Sequence, residues 1–140
     1  MTLRDFRYSR AAFSSFSIQV RDSANFLIFN VHGTGASHGI EVKDSTKGRV
    51  IGNDLATGDI GIELDGSSFI IVVDNQIDGT FMTIRITNNS DFNTIIGNRG
   101  TNLMRIVDGT CNKNIVVGNM MNGAFDDGGT NTEKAHNVQY

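Results

Sequence analysis

The stretch TIIGNRG at residues 94–100 decides how this chain is read, because it recurs. Near-copies stand at VIGNDL (50–55), VVDNQI (72–77) and VVGNMM (116–121). In each, two aliphatic residues and a small or acidic one precede an asparagine. The asparagines Asn53, Asn75, Asn98 and Asn119 follow one another at intervals of 22, 23 and 21 residues. Reading backwards, LIFNVH (27–32) places Asn30 a further 23 residues upstream. A fixed period in this range marks a repeat architecture, so the other features are read in phase with it.

A second pattern keeps the same period. SIQVRD (17–22), GIEVKD (39–44), GIELDG (61–66), TIRITN (83–88) and MRIVDG (104–109) alternate apolar with polar residues, as half-buried strands do. One inward row is expected to be Ile18, Ile40, Ile62, Ile84, Met104 and Phe125, with Val20, Val42, Leu64, Ile86 and Ile106 beside it. Glycine-rich turns such as GTGASHG (33–39), LATGDIG (55–61) and NQIDGT (75–80) separate two short strands per repeat. Repeats in register make a superhelix whose like strands stack in parallel at about 4.8 Å per coil. A leucine-rich repeat has a comparable period, but its leucine framework and helical return segment are missing. The expected fold is therefore all-β: a single-stranded parallel β-helix of five to six coils.

Composition agrees and narrows the function classes. The chain has 140 residues, 16 glycines, no proline and a formal net charge of −3. That length implies one domain, and that charge gives no basic footprint for nucleic acid. No apolar run approaches the roughly 20 residues of a membrane span, so no membrane insertion is expected. The opening residues MTLRDFRYSR lack the apolar core of a signal peptide. The single cysteine, Cys111, excludes an internal disulfide framework, and His32, His38 and His136 show no metal-ligand spacing. Neither a metal nor a cofactor is expected.

The recurrent asparagines are read as a structural ladder of Asn30, Asn53, Asn75, Asn98 and Asn119. Asparagine tolerates the left-handed backbone of a corner, and stacked amides hydrogen-bond from coil to coil. Gly52, Gly97 and Gly118 would permit the corner beside it. The segments NTIIGN (93–98) and GIELDGSS (61–68) resemble the right-handed parallel β-helix repeats of pectate-lyase-like proteins, including bacteriophage tailspikes and tail fibres. The resemblance covers residues 17 to 128 and is a pattern across coils, not a catalytic signature. Residues 1–16 and 129–140 lie outside it and are expected to cap the ends as an N-terminal arm and a C-terminal cap.

Two aliphatic rows precede the asparagines. One is Leu27, Val50, Val72, Ile95 and Val116; the other is Ile28, Ile51, Val73, Ile96 and Val117. Strand side chains alternate between faces, so both rows cannot enter one interior. The second row is expected to face outward as an oligomer interface. Otherwise an N-terminal arm carrying Phe6, Tyr8, Phe13 and Phe16 folds over it, or a local bulge tucks both rows inside. The tailspike resemblance implies a homotrimer.

The outward positions of the alternating strands are Gln19, Glu41, Glu63, Arg85, Arg105 and Asp126, with Arg21, Lys43, Asp65 and Thr87 alongside. Glu41, Lys43, Glu63, Asp65, Arg85 and Arg105 are the candidate binding surface. Glu41 and Glu63, one coil apart, approach the roughly 5 Å spacing of a retaining glycosidase pair and are weak catalytic candidates. A solvated charged face explains them as well. Pectate-lyase-like enzymes use a calcium-binding acidic cluster, and no such motif carries over. The resemblance implies a structural or receptor-binding module of a phage tail, in the virion or outside the cell, attaching to host cell-surface polysaccharide. The alternative is a fragment of a polysaccharide-degrading lyase or glycosidase.

Overall fold

The computed structural model describes residues 1–5, 7–9, 16–79 and 81–140. It contains strands and turns without helix among those residues, and every strand pairing is parallel. Successive turns of the chain stack as a β-solenoid of about six turns with a period of about 22 residues.

Each coil begins with a three-residue strand, as at Leu27–Phe29, Arg49–Ile51, Ile71–Val73, Thr94–Ile96, Ile115–Val117 and Glu133–Ala135. These stack with Thr2–Arg4 into one sheet of seven strands among the described residues. After a corner the chain enters a longer run, continuous at His32–Lys43 and Asp54–Asp65. In the next coils the run splits into Gln76–Gly79 and Met82–Thr87, then Arg99–Gly100 and Leu103–Ile106. The split marks a bend, where the register shifts between Thr34 and Ala36 and again before His38. A coil thus has three faces where the sequence pattern suggested two strands.

The bend is crowded by design of its glycines. A Cβ at Gly61 would stand 2.1 Å from Ile77 Cγ2 and 2.7 Å from the Thr83 carbonyl oxygen. Backbone passes too close there for any side chain.

The inward rows lie where alternation puts them. Ile18, Ile40, Ile62, Ile84, Met104 and Phe125 are register partners, as are Val20, Val42, Leu64, Ile86 and Ile106. They form one core with Leu55, Ile70, Ile77 and the inward row of the short strands. Phe125 is only partly buried against it, since the core thins at that end.

The short-strand register corrects one expectation. Ile28 pairs with Val50, which continues through Val72, Ile95 and Val116, and all five are fully buried. Ile28 is therefore core and not an interface residue. The outward row is Phe29, Ile51, Val73, Ile96 and Val117. The first repeat is one residue out of step, because its corner residue is Asn30 where later coils place Gly52, Asp74, Gly97 and Gly118.

The terminal segments do not stand apart from the solenoid. Thr2–Arg4 pairs with Leu27–Phe29, and Arg7–Ser9 with His32–Thr34. At the other end Glu133–Ala135 and Val138–Gln139 extend the same two sheets. Phe6 and Phe13 lie outside the described residues, while the backbone at Tyr8 and Phe16 belongs to the long sheet.

Candidate functional site

Three left-handed columns turn the chain, and each brings a different ladder with it. At the corner after the short strand the left-handed residues are Asp5, Asn30, Gly52, Asp74, Gly97, Gly118 and His136. From the third coil on, the residue that follows is the inward-pointing Asn53, Asn75, Asn98, Asn119 and Asn137. The ladder asparagines are thus chosen for hydrogen bonding, and their neighbours for backbone conformation. Asn53 and Asn75 show the pattern: the backbone N–H and the side-chain amide of each donate to Oδ1 of the asparagine in the next coil. Asn98 and Asn119 repeat it, ending on Asn137.

Asn30 is not in this ladder. Its amide donates to Asp5 Oδ1 at 2.7 Å on the surface, and it is the Val31 N–H that reaches Asn53 Oδ1. Asn137, at the far end, is a member that the sequence reading missed.

Two further ladders went unread, although the same period carries them. Ser45, Ser67 and Ser90 accept in turn from the backbone N–H of Ser23, Ser45 and Ser67. The buried Cys111 occupies the next place. Asn93 and Asn114 form a second asparagine pair at the corner where Phe92 and Lys113 are left-handed.

On the outer face of the long strands, Gln19, Glu41, Glu63, Arg85, Arg105 and Asp126 form one row in register. Arg21, Lys43, Asp65 and Thr87 form the adjoining row. The sequence brings all six candidate binding residues onto this face. Yet Glu41 and Glu63 are only 4% and 7% exposed, so the face is less solvated than alternation suggested. In-register stacking at about 4.8 Å lays the long side chains of adjacent coils across one another.

The two glutamates are tied in opposite directions along the axis. Glu41 Oε2 accepts from Gln19 Nε2 at 2.9 Å and from Arg21 at 3.1 Å, one coil back. Glu63 Oε1 lies 3.3 Å from an Arg85 guanidinium nitrogen, one coil forward. Lys43 Nζ donates to Asp65 at 2.6 Å, and Arg105 Nε stands 3.0 Å from Asp126.

Burial pushes the Glu63 carboxyl above its ordinary range, against the pull of the Arg85 charge. Burial also acts to raise Asp65, but hydrogen bonds from Lys43 and Asn88 outweigh it and hold this carboxyl low. The hydrogen bond to Asp65 raises Lys43 in turn. A retaining glycosidase needs one carboxyl free to attack and one free to give a proton. Here each glutamate is engaged by a cation and shielded from solvent.

These ladders and parallel sheets define a parallel β-helix protein. The chain belongs to the family described as periplasmic copper-binding protein (NosD), whose model matches residues 4–138. No curated protein and no solved structure matches it.

Proposed function

We propose that this protein is a non-catalytic β-helix module that attaches to polysaccharide along the outer charged face of its long strands, outside the cytoplasm. The engagement of Glu41, Glu63 and Asp65 by cations of neighbouring coils carries this reading. It leaves a rigid polar row at one coil spacing, suited to an extended polymer lying along the axis. The flanking guanidiniums of Arg21, Arg85 and Arg105 stay partly open to solvent and supply donors for hydroxyl or carboxylate groups. The family's description as periplasmic supports a place beyond the cytoplasmic membrane. A bacteriophage tail or tailspike, reading a host-surface glycan, is the setting that the repeat pattern suggests.

Copper, named in the family's description, meets no matching set of histidine, cysteine and carboxylate donors among the described residues. Among the described residues no three histidine, cysteine or carboxylate side chains converge as a metal site. His32 and His38 face Asp54 and Asp59 as separate pairs, and Cys111 is sealed in the serine column.

The cleaving alternative has one observation in its favour, the raised Glu63 carboxyl beside Glu41. Co-sedimentation with a panel of bacterial surface polysaccharides, followed by sizing of the polymer, separates the two. Binding that leaves chain length unchanged and is lost in Arg85→Ala/Arg105→Ala is expected. Shortening that Glu63→Gln abolishes would establish the enzyme, and failure to bind any polysaccharide would end the attachment reading.

A further inference from the structure

We propose that this protein docks on anionic lipid surfaces through the outer face of its short-strand sheet, lying on the bilayer rather than spanning it. The charged rows belong to the other sheet, so the proposal does not depend on polysaccharide attachment.

The short strands show two outward rows, and a corner column of left-handed residues runs beside them. Phe29, Ile71, Ile96 and Ile115 are exposed on the rows. In the column Phe69 and Phe92 stack with ring centroids 5.0 Å apart, yet stay 52% and 44% exposed. A contiguous apolar face of this kind is rarely left in water.

The column is the unusual part. Left-handed backbone suits glycine, asparagine and aspartate, and those types fill most such positions elsewhere among the described residues. Here the positions go to Lys47, Phe69, Phe92 and Lys113, with φ of 55°, 58°, 55° and 54°. Bulky side chains held on a disfavoured backbone point to a use for those side chains.

Charge says what covers the face. Up to Val117 the two rows and the column contain no carboxylate, in a chain with 15 acidic residues and a net charge of −3. Their cations are Arg4, Lys47, Arg49 and Lys113, all exposed. Lys47 stands one coil before Phe69 and Lys113 one coil after Phe92, so charge brackets the rings. Lys113 Nζ lies 5.2 Å from the Phe92 centroid. Asp74 and Asp91 sit on the corners to either side, and Asp91 is engaged by the Asn112 N–H. Rings and aliphatics with lysine and arginine alongside match the headgroup region of an anionic bilayer. The apolar groups enter the acyl boundary while the long cationic side chains reach lipid phosphates. From Thr2 to Ile115 the sheet runs about 24 Å along the axis, long enough for several lipids to contact it at once.

Co-sedimentation of the full chain with vesicles tests this, setting mixed phosphatidylglycerol and phosphatidylcholine against phosphatidylcholine alone. Binding to the anionic vesicles is expected to be about tenfold or more the stronger, and to weaken with added salt. Lys47→Gln/Arg49→Gln should reduce it about tenfold or more. Phe69→Asn/Phe92→Asn suits the left-handed backbone, so its thermal midpoint should hold or rise while vesicle binding is lost. A wild type that stays in the supernatant, binds neutral vesicles equally, or keeps its binding in the phenylalanine variant would overturn the proposal. A wild type that ignores vesicles but self-associates, and that the phenylalanine variant returns to single chains, would assign the face to a second copy and overturn it equally.

Discussion

The Asn75 side-chain amide donates to Asn98 Oδ1 at 2.8 Å, and the Asn75 backbone N–H shares that same oxygen at 3.1 Å. One coil earlier, Asn53 does the same to Asn75 at 2.8 and 2.9 Å. The second amide hydrogen of Asn75 reaches the Val50 carbonyl, so a fully buried polar side chain has every strong partner it needs. A column of such residues settles the corner's hydrogen bonding without water, and fixes the axial register of the coils.

Replacing Asn75 by leucine removes the acceptor for two Asn53 donors inside the corner. Each orphaned buried group costs about 1 to 3 kcal/mol, so Asn75→Leu should lower unfolding stability by at least that much. Asn30→Gly gives the contrast. Asn30 is left-handed, with φ of 52°, and its amide bonds only at the surface, so this change should stay within about 0.5 kcal/mol. Urea denaturation of both variants is the measurement. Equal losses would mean that Asn30 and Asn75 are equivalent members of one ladder.

Glycines at the bend and at the corner should fail for different reasons. Gly61→Ala drives a Cβ into Ile77 and the Thr83 carbonyl, where backbone cannot yield. Overpacking of this sort costs about 1 to 3 kcal/mol. Gly118 has open space around it but a φ of +65°, so Gly118→Ala should lose only about 1 kcal/mol of backbone preference. Thermal midpoints of the pair should fall in that order.

The charged face sets opposite pH dependences. Burial raises the Glu63 carboxyl above 4.5, so the folded state holds this proton more tightly than the unfolded chain does. Its contribution is present below pH 4.5 and lost as pH rises through the folded value. Asp65 is held below 3.8, so its contribution is present above that pH and lost as pH falls through its folded value. Thermal melts across the acid range should show Glu63→Gln flattening the decline on the neutral side. Asp65→Asn should flatten the decline on the acid side. A Glu63→Gln profile parallel to wild type would remove the case for a raised carboxyl.

Periodicity made the solenoid legible, because alternation in GIEVKD and GIELDG reports which side chains face inward without reference to any partner. It could not place Asn30. The interval from Asn30 to Asn53 matches the later intervals, while the element that shifts is the corner residue, from Asn30 to Gly52. Only the hydrogen bonds reveal that Val31 occupies the ladder's place. Nor could alternation report that Glu41 and Glu63 are nearly buried, since it gives the direction of a side chain and not how its neighbours lie over it. The serine column was within reach: Ser45, Ser67 and Ser90 are spaced by 22 and 23 residues, in phase with the asparagines.

That column gives the last prediction. Ser67 Oγ accepts the Ser45 N–H at 3.1 Å and donates to the Val42 carbonyl at 3.0 Å, while Ser67 N–H donates to Ser90 Oγ at 3.0 Å. The Ser90 backbone N–H faces the Cys111 sulfur in the same way, and burial raises that thiol. A thiol is a weak acceptor, whereas a hydroxyl accepts strongly and donates as well. Cys111→Ser should therefore be tolerated, with stability unchanged or higher by about 0.5 to 1.5 kcal/mol, the net worth of one better hydrogen bond. Buried cysteines that act as small apolar core residues behave in the opposite way, because a hydroxyl placed there finds no partner. Ser67→Ala should lose about 1 to 3 kcal/mol by stranding the Ser45 N–H. Urea denaturation of the two single variants reads both effects, and a Cys111→Ser protein that loses more than Ser67→Ala would show that Cys111 is not a member of the column.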